Sequence, residues 1–260
     1  AKAVARPHFR DWTYGEIAIV QARLGQVEAA RKTAGRVQDP RLILVTLRNI
    51  AVALAKANRL DQARDSAAII PDNWLRAEAM AAVAVAQTAN GNWPQARQTI
   101  GDIRLLGKAE VADDFRRTNL MVDLAEKIMK AGDPAGALAI LDAEGAQLKT
   151  MTAASRDNHG AAAFSTLAAG YANIDQTAQT GLLLDQEARI VHRRTVSVAL
   201  ARALARAGDD LRATAIVNAL EEARYRAVLL ADIAGHQARH ARRAAAEQSL
   251  KRAEAAVSAI

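Results

Sequence analysis

Residues 42–71 read LILVTLRNIAVALAKANRLDQARDSAAIIP, and this stretch decides the fold. Leu42, Val45, Leu47, Ile50, Ala51 and Leu54 recur at the spacing of one helical face as far as Ala57. Asn58-Arg59 interrupts the pattern. Leu60, Ala63, Ala67 and Ile70 resume it as a second amphipathic helix, and Pro71 ends that helix because proline has no N–H to give its interior. The stretch predicts a helix, a tight turn and a second helix.

Working outward from Ile50-Ala51, a branched or leucine residue followed by alanine recurs at Ile17-Ala18, Val83-Ala84, Leu124-Ala125, Leu167-Ala168, Leu200-Ala201 and Ile233-Ala234. Four of the six intervals are 33 residues, and the middle two are 41 and 43. Self-similarity at such a period is the signature of stacked helical repeats. Eight positions after each anchor come Gly25, Asn58, Gly91, Gly132, Asp175, Gly208 and Ala241, the expected turns. Glycine there suits a left-handed helix stop. Asp133 and Asp209, each just after a turn glycine, are expected to cap the next helix, while Pro94 and Pro134 fit its first turn. Thirteen positions after each anchor stands a small residue (Ala30, Ala63, Ala96, Ala137, Thr180, Ala213, Ala246), where the second helix packs on the first. The reading is an all-α solenoid of about seven helix–turn–helix repeats.

Composition agrees. Of 260 residues, 51% are apolar and only 3% aromatic, with alanine dominant, which favours closely spaced helices. No cysteine is present, so disulfides, thiolate metal sites and cysteine catalysis are excluded. No apolar run reaches the roughly 18 residues of a membrane span. The chain opens at Ala1, so both a cytoplasmic protein and one exported after signal removal fit. A net charge of +7 admits an acidic partner, but the densest basic stretch, Arg239, His240, Arg242 and Arg243, is interrupted by alanine.

Glycine or asparagine at the turn, alanine five positions later and the Leu/Ile-Ala pair in the first helix resemble the tetratricopeptide repeat, from about Arg10 to Ile260. The resemblance implies a right-handed α-α superhelix whose first helices line a concave groove that binds peptides or protein segments. The chain departs from the pattern in its period and in its aromatics, for only Tyr171 and Trp93 occupy the expected aromatic positions. Related α-solenoids stay open. Residues 1–260 read as a single repeat domain. The longer intervals add eight residues near Arg104–Val111 and ten near Gly145–Asn158. Either they hinge a front lobe (10–103) to a back lobe (159–260) through a middle repeat (104–158), or they only lengthen helices of the fourth repeat.

Two basic series follow the period. Arg10, Arg76, Arg117, Arg193 and Arg226 stand seven positions before the anchor. Asp72, Asp113 and Glu222 each precede one of them by four residues, so in-helix ion pairs are expected. Arg23, Lys56, Lys130, Arg206 and Arg239 stand six positions after it, where a cation also favours the helix dipole. Facing a groove, these would favour carboxylates. Helix position nominates Arg23, Arg48, Lys56, Lys130, Asn173, Arg202, Arg206 and Arg239 as partner contacts. His236 and His240 share a helix face but have no evident third metal ligand. Trp12 reads either as a groove anchor or as an end cap of the core. Signatures of hydrolases, zinc proteases, P-loops and dinucleotide sites are absent.

The expected function is a non-enzymatic scaffold for a protein or peptide, an acidic one included, with no cofactor and no metal. An RNA-binding helical repeat and a non-catalytic helical region of a larger enzyme are the alternatives.

Overall fold

The computed structural model describes residues 7–110, 114–149, 158–186 and 193–260. Among them lie fourteen α-helices and no strand. They fall into seven consecutive pairs: α1 (Pro7–Arg23) with α2 (Val27–Ala34), α3 (Pro40–Lys56) with α4 (Leu60–Ala68), α5 (Asn73–Ala89) with α6 (Trp93–Glu110), α7 (Asp114–Lys130) with α8 (Pro134–Lys149), α9 (Asn158–Asn173) with α10 (Thr177–Gln186), α11 (Arg193–Ala207) with α12 (Asp210–Asn218), and α13 (Ala223–Arg239) with α14 (Arg243–Val257). Helices pack on their sequence neighbours, as in a helical repeat: α3 on α1, α5 on α3, α11 on α9 and α13 on α11, with α2, α4, α6, α10, α12 and α14 each beside its own first helix.

The turns decide this arrangement. Gly25, Asn58, Gly91, Gly132, Asp175, Gly208 and Ala241 all have positive φ, and among the described residues no others do. At each, the chain passes through the left-handed conformation that stops one helix and lets the next fold back. At Gly25 a side chain is also sterically excluded, because a Cβ would lie 2.2 Å from Cζ of Arg59. Aspartates cap the first helices α3 and α5 and the second helix α12. Asp39 accepts from the N–H groups of Arg41 and Leu42 at 2.8 and 2.9 Å, Asp72 from Leu75 at 2.7 Å, and Asp209 from Arg212 at 3.1 Å.

The small residues set the spacing. Ala30, Ala63, Ala96, Ala137, Thr180 and Ala213 are all buried where second helix meets first. Gly170 of α9 faces Val122 of α7 so closely that a Cβ would meet its Cγ1 at 2.8 Å. The additional residues of the long intervals extend second helices. Arg104–Glu110 close α6, in the third repeat rather than the fourth, and Gly145–Lys149 close α8. Residues 111–113 and 150–157, the rest of these insertions, lie outside the described residues.

The chain divides into two compact units, Ala1–Ala112 with Lys130–Asp133, and Asp113–Met129 with Pro134–Ile260. The first holds all three tryptophans, Trp12, Trp74 and Trp93. Trp12 is 54% exposed on α1.

Arg76 and Arg226 do not form the expected in-helix ion pairs. Arg76 donates from Nε to the carbonyl of Ile70 at 2.8 Å, and Arg226 from Nη1 to the carbonyl of Leu220 at 2.6 Å. Both carbonyls lie one residue beyond the C-cap of a preceding short helix, where no helical N–H reaches them. Asp72 is occupied as a cap, and Glu222 pairs with Arg194 at 2.6 Å. Arg117 reaches across to Glu144 of α8 at 3.1 Å, in a buried pair that Thr118 completes by donating to the same carboxylate at 2.7 Å. Arg76 and Arg226 thus tie a first helix to the end of the preceding pair, and Arg117 ties the two helices of its own pair. Asp113 lies outside the described residues.

Candidate functional site

Arg202 and Arg206 stand one turn apart on α11. Their neighbours Ala201, Ala203, Leu204 and Ala205 are buried, which turns both guanidinium groups to the outer face. On α13, Leu229, Leu230 and Ile233 are buried against that same core. Asp232, His236 and Arg239 are left beside the arginines, around a cavity of about 320 Å3.

The geometry holds two of the three cations in place. Arg202 donates to Oδ2 of Asp232 from Nε at 3.0 Å and from Nη2 at 2.6 Å. Arg206 donates from Nε to Oδ1 of Asp175 at 2.9 Å and from Nη2 to the carbonyl of Ala172 at 3.1 Å. Arg239 is exposed and makes no ion pair among the described residues. Three guanidinium groups therefore meet two carboxylates, leaving one uncompensated positive charge. His236 adds none at neutral pH. Burial pushes its pKa below the ordinary histidine value, and His240, with ring centroids 4.4 Å apart, pushes the same way. No group of three His, Cys, Asp or Glu side chains among the described residues is placed to hold a metal ion.

The other nominated residues are distributed elsewhere. Arg48 pairs with Glu78 at 2.9 Å, and Glu78 also accepts from Nε1 of Trp74 at 2.8 Å. Asn173 donates to Glu126 at 2.7 Å. Both are engaged between neighbouring repeats. Arg23, Lys56 and Lys130 are exposed at first-helix ends, without an ion pair among the described residues. Arg23, Arg48, Lys56 and Lys130 belong to the first unit, and Asn173, Arg202, Arg206 and Arg239 to the second. Of the eight, the structure brings Arg202, Arg206 and Arg239 to one cavity.

The acidic partners Asp175 and Asp232 escaped the sequence reading, which paired charges only within helices. A signal was available. The pairs Arg48–Glu78, Arg194–Glu222, Arg202–Asp232, Arg206–Asp175 and Arg242–Asp210 span 30, 28, 30, 31 and 32 residues, close to the repeat period. Opposite charges one period apart mark neighbours in a stack.

No protein-family model, curated protein or solved structure matches the chain.

Proposed function

We propose that this chain is a non-enzymatic recognition module of tetratricopeptide-like type that takes an acidic peptide segment against the first helices of its sixth and seventh repeats. The observation that carries the reading is the convergence of Arg202, Arg206 and Arg239 on one cavity of about 320 Å3. Asp232 and Asp175 already order two of the guanidinium groups, so little side-chain entropy is lost when a ligand arrives. Arg239 supplies the uncompensated charge, and a carboxylate of the segment would pair with it through charge-assisted hydrogen bonds. A cavity of this size fits one or two side chains of an extended segment. The left-handed turns, the small packing residues and the Leu/Ile-Ala anchors support the tetratricopeptide-like assignment.

The test is fluorescence anisotropy with a labelled Asp/Glu-rich peptide. Arg239→Glu should weaken binding at least about tenfold, a loss of roughly 1.4 kcal/mol, with circular dichroism unchanged. Arg64→Glu, the same charge reversal at an exposed position of α4, should have little effect. Wild-type binding should weaken as salt rises. Equal losses in the two variants would overturn the site and leave only a generally basic surface.

A further inference from the structure

Granted that an acidic segment binds at this cavity, we infer that it binds together with a proton, which His236 takes up in the cavity wall. His236 lines the cavity with Arg202, Arg206 and Arg239. Its ring is half-buried, and Nε2 is buried without a hydrogen-bond partner among the described residues. The repeat does not call for a histidine there. Three positions after the anchor, the other repeats carry Val20, Ala53, Ala86, Lys127, Gly170 and Ala203, none of which titrates near neutral pH. The cavity that collects three guanidinium groups thus also holds a side chain that changes charge in the physiological range.

The charged groups around it come from each helix packed against α13, namely α11, α12 and α14. α11 brings Arg202 and Arg206, already paired with Asp232 and Asp175. α12 brings Asp210, held by Arg242 at 2.9 Å, and its cap Asp209, paired with Arg212 at 3.5 Å. Arg243 and Glu247 of α14 pair with each other at 3.2 Å. On α13 itself stand Arg239 and His240, whose ring centroid is 4.4 Å away. Every carboxylate in this set already has an arginine, so none is left over for an imidazolium. Burial keeps the free ring neutral, and repulsion from His240, Arg242 and Arg239 adds to it, while the backbone of Arg206 works the other way.

A carboxylate arriving beside Arg239 changes that balance. It brings an unshared negative charge to the ring, which favours the imidazolium, so a proton is taken up as the segment binds. The coupling is reciprocal: the proton strengthens binding of the segment by the same factor by which the segment strengthens binding of the proton. Affinity therefore rises as pH falls from about 8 to about 5.5, a range in which Asp and Glu side chains of the ligand, with ordinary values near 4, stay ionised.

Fluorescence anisotropy at these two pH values, with a labelled, histidine-free Asp/Glu-rich peptide and constant salt, tests the inference. Wild-type affinity should rise about five- to tenfold at the lower pH. His236→Gln should bind with the same affinity at both, and His240→Gln should keep the rise. Followed by NMR, the His236 ring should titrate at higher pH with the peptide than without it. Binding that Arg239→Glu weakens but pH leaves unchanged would overturn the inference and leave the acidic-segment site standing. So would a rise that survives in His236→Gln. A peptide that binds at neither pH removes the site itself, and the coupling with it. If glutamine disturbs α13, seen as lost ellipticity at either pH, His236→Asn reads the same coupling.

Discussion

Replacing Gly170 with alanine sets two effects against each other, and the geometry decides between them. Gly170 lies inside α9, where alanine is intrinsically favoured over glycine by about 1 kcal/mol. The new Cβ, however, would stand 2.8 Å from Cγ1, 3.0 Å from Cγ2 and 3.4 Å from Cβ of Val122. Carbon atoms prefer separations of about 3.5–4.0 Å. Val122 is buried and β-branched, so it has little freedom to rotate away. Either α7 and α9 move apart or Val122 leaves its rotamer. Overpacking costs about 1–3 kcal/mol, and a contact of 2.8 Å on a buried side chain belongs to the upper part of that range, about 2–3 kcal/mol, which outweighs the helix gain and leaves a net loss of about 1–2 kcal/mol. Gly101, inside α6, is the control. No atom lies within 4 Å of its would-be Cβ, so Gly101→Ala should stabilise by about 0.5–1 kcal/mol. Urea unfolding followed by far-ultraviolet circular dichroism measures both. In a Val122→Ala background the clash disappears, and Gly170→Ala should become neutral or stabilising. If Gly170→Ala is harmless in the wild type, or equally harmful in the Val122→Ala background, the close approach of α7 and α9 is wrong.

Four further outcomes are expected. Ala96→Leu should cost about 1–3 kcal/mol in urea unfolding, because Ala96 is buried where α6 meets α5. Ala241→Gly should raise stability in the same assay by roughly 0.5–1 kcal/mol: alanine at φ +58° carries a left-handed penalty of about 1–2 kcal/mol, partly offset by the freer unfolded glycine. Glu144→Ala should cost more than about 1 kcal/mol, because it removes the buried carboxylate that accepts from both Arg117 and Thr118. His236 should make stability fall as pH drops below the unfolded histidine value of about 6.5. Its folded pKa is lowered by burial, then by His240, Arg242 and Arg239, so in that window the unfolded chain binds more protons. His236→Gln should flatten this part of the stability-versus-pH curve.

The repeat was legible because it rests on local physics read in register. Ala241 shows how far register carries. Alanine has no preference for a left-handed turn, yet its place eight positions after Ile233 marked it as one, and its φ is +58°. Arg76 and Arg226 show where local reading fails. An acid four residues upstream suggested an ion pair, but carbonyls just past the preceding helix took both guanidinium groups. The site was half legible. Position along the first helix found Arg202, Arg206 and Arg239. Their organisation depends on Asp175 and Asp232, which are neighbours only once the repeats stack. The exposure of Ile17 was invisible to periodicity, since Ile17 obeys the same pattern as the buried anchors Ile50 and Val83.

The division of the chain also labels it spectroscopically. Trp12, Trp74 and Trp93 all belong to the first unit, so intrinsic tryptophan emission reports on that unit alone. Ellipticity sums helices from both. If the units unfold as separate cooperative blocks, the two signals will give different denaturation midpoints in the unmodified protein. A lesion in the second unit, such as loss of Glu144, would then move the ellipticity curve and leave the emission curve in place. Coincident curves that shift together would show the chain melting as one cooperative body. No dye or engineered probe is needed to read the energetic coupling between its halves.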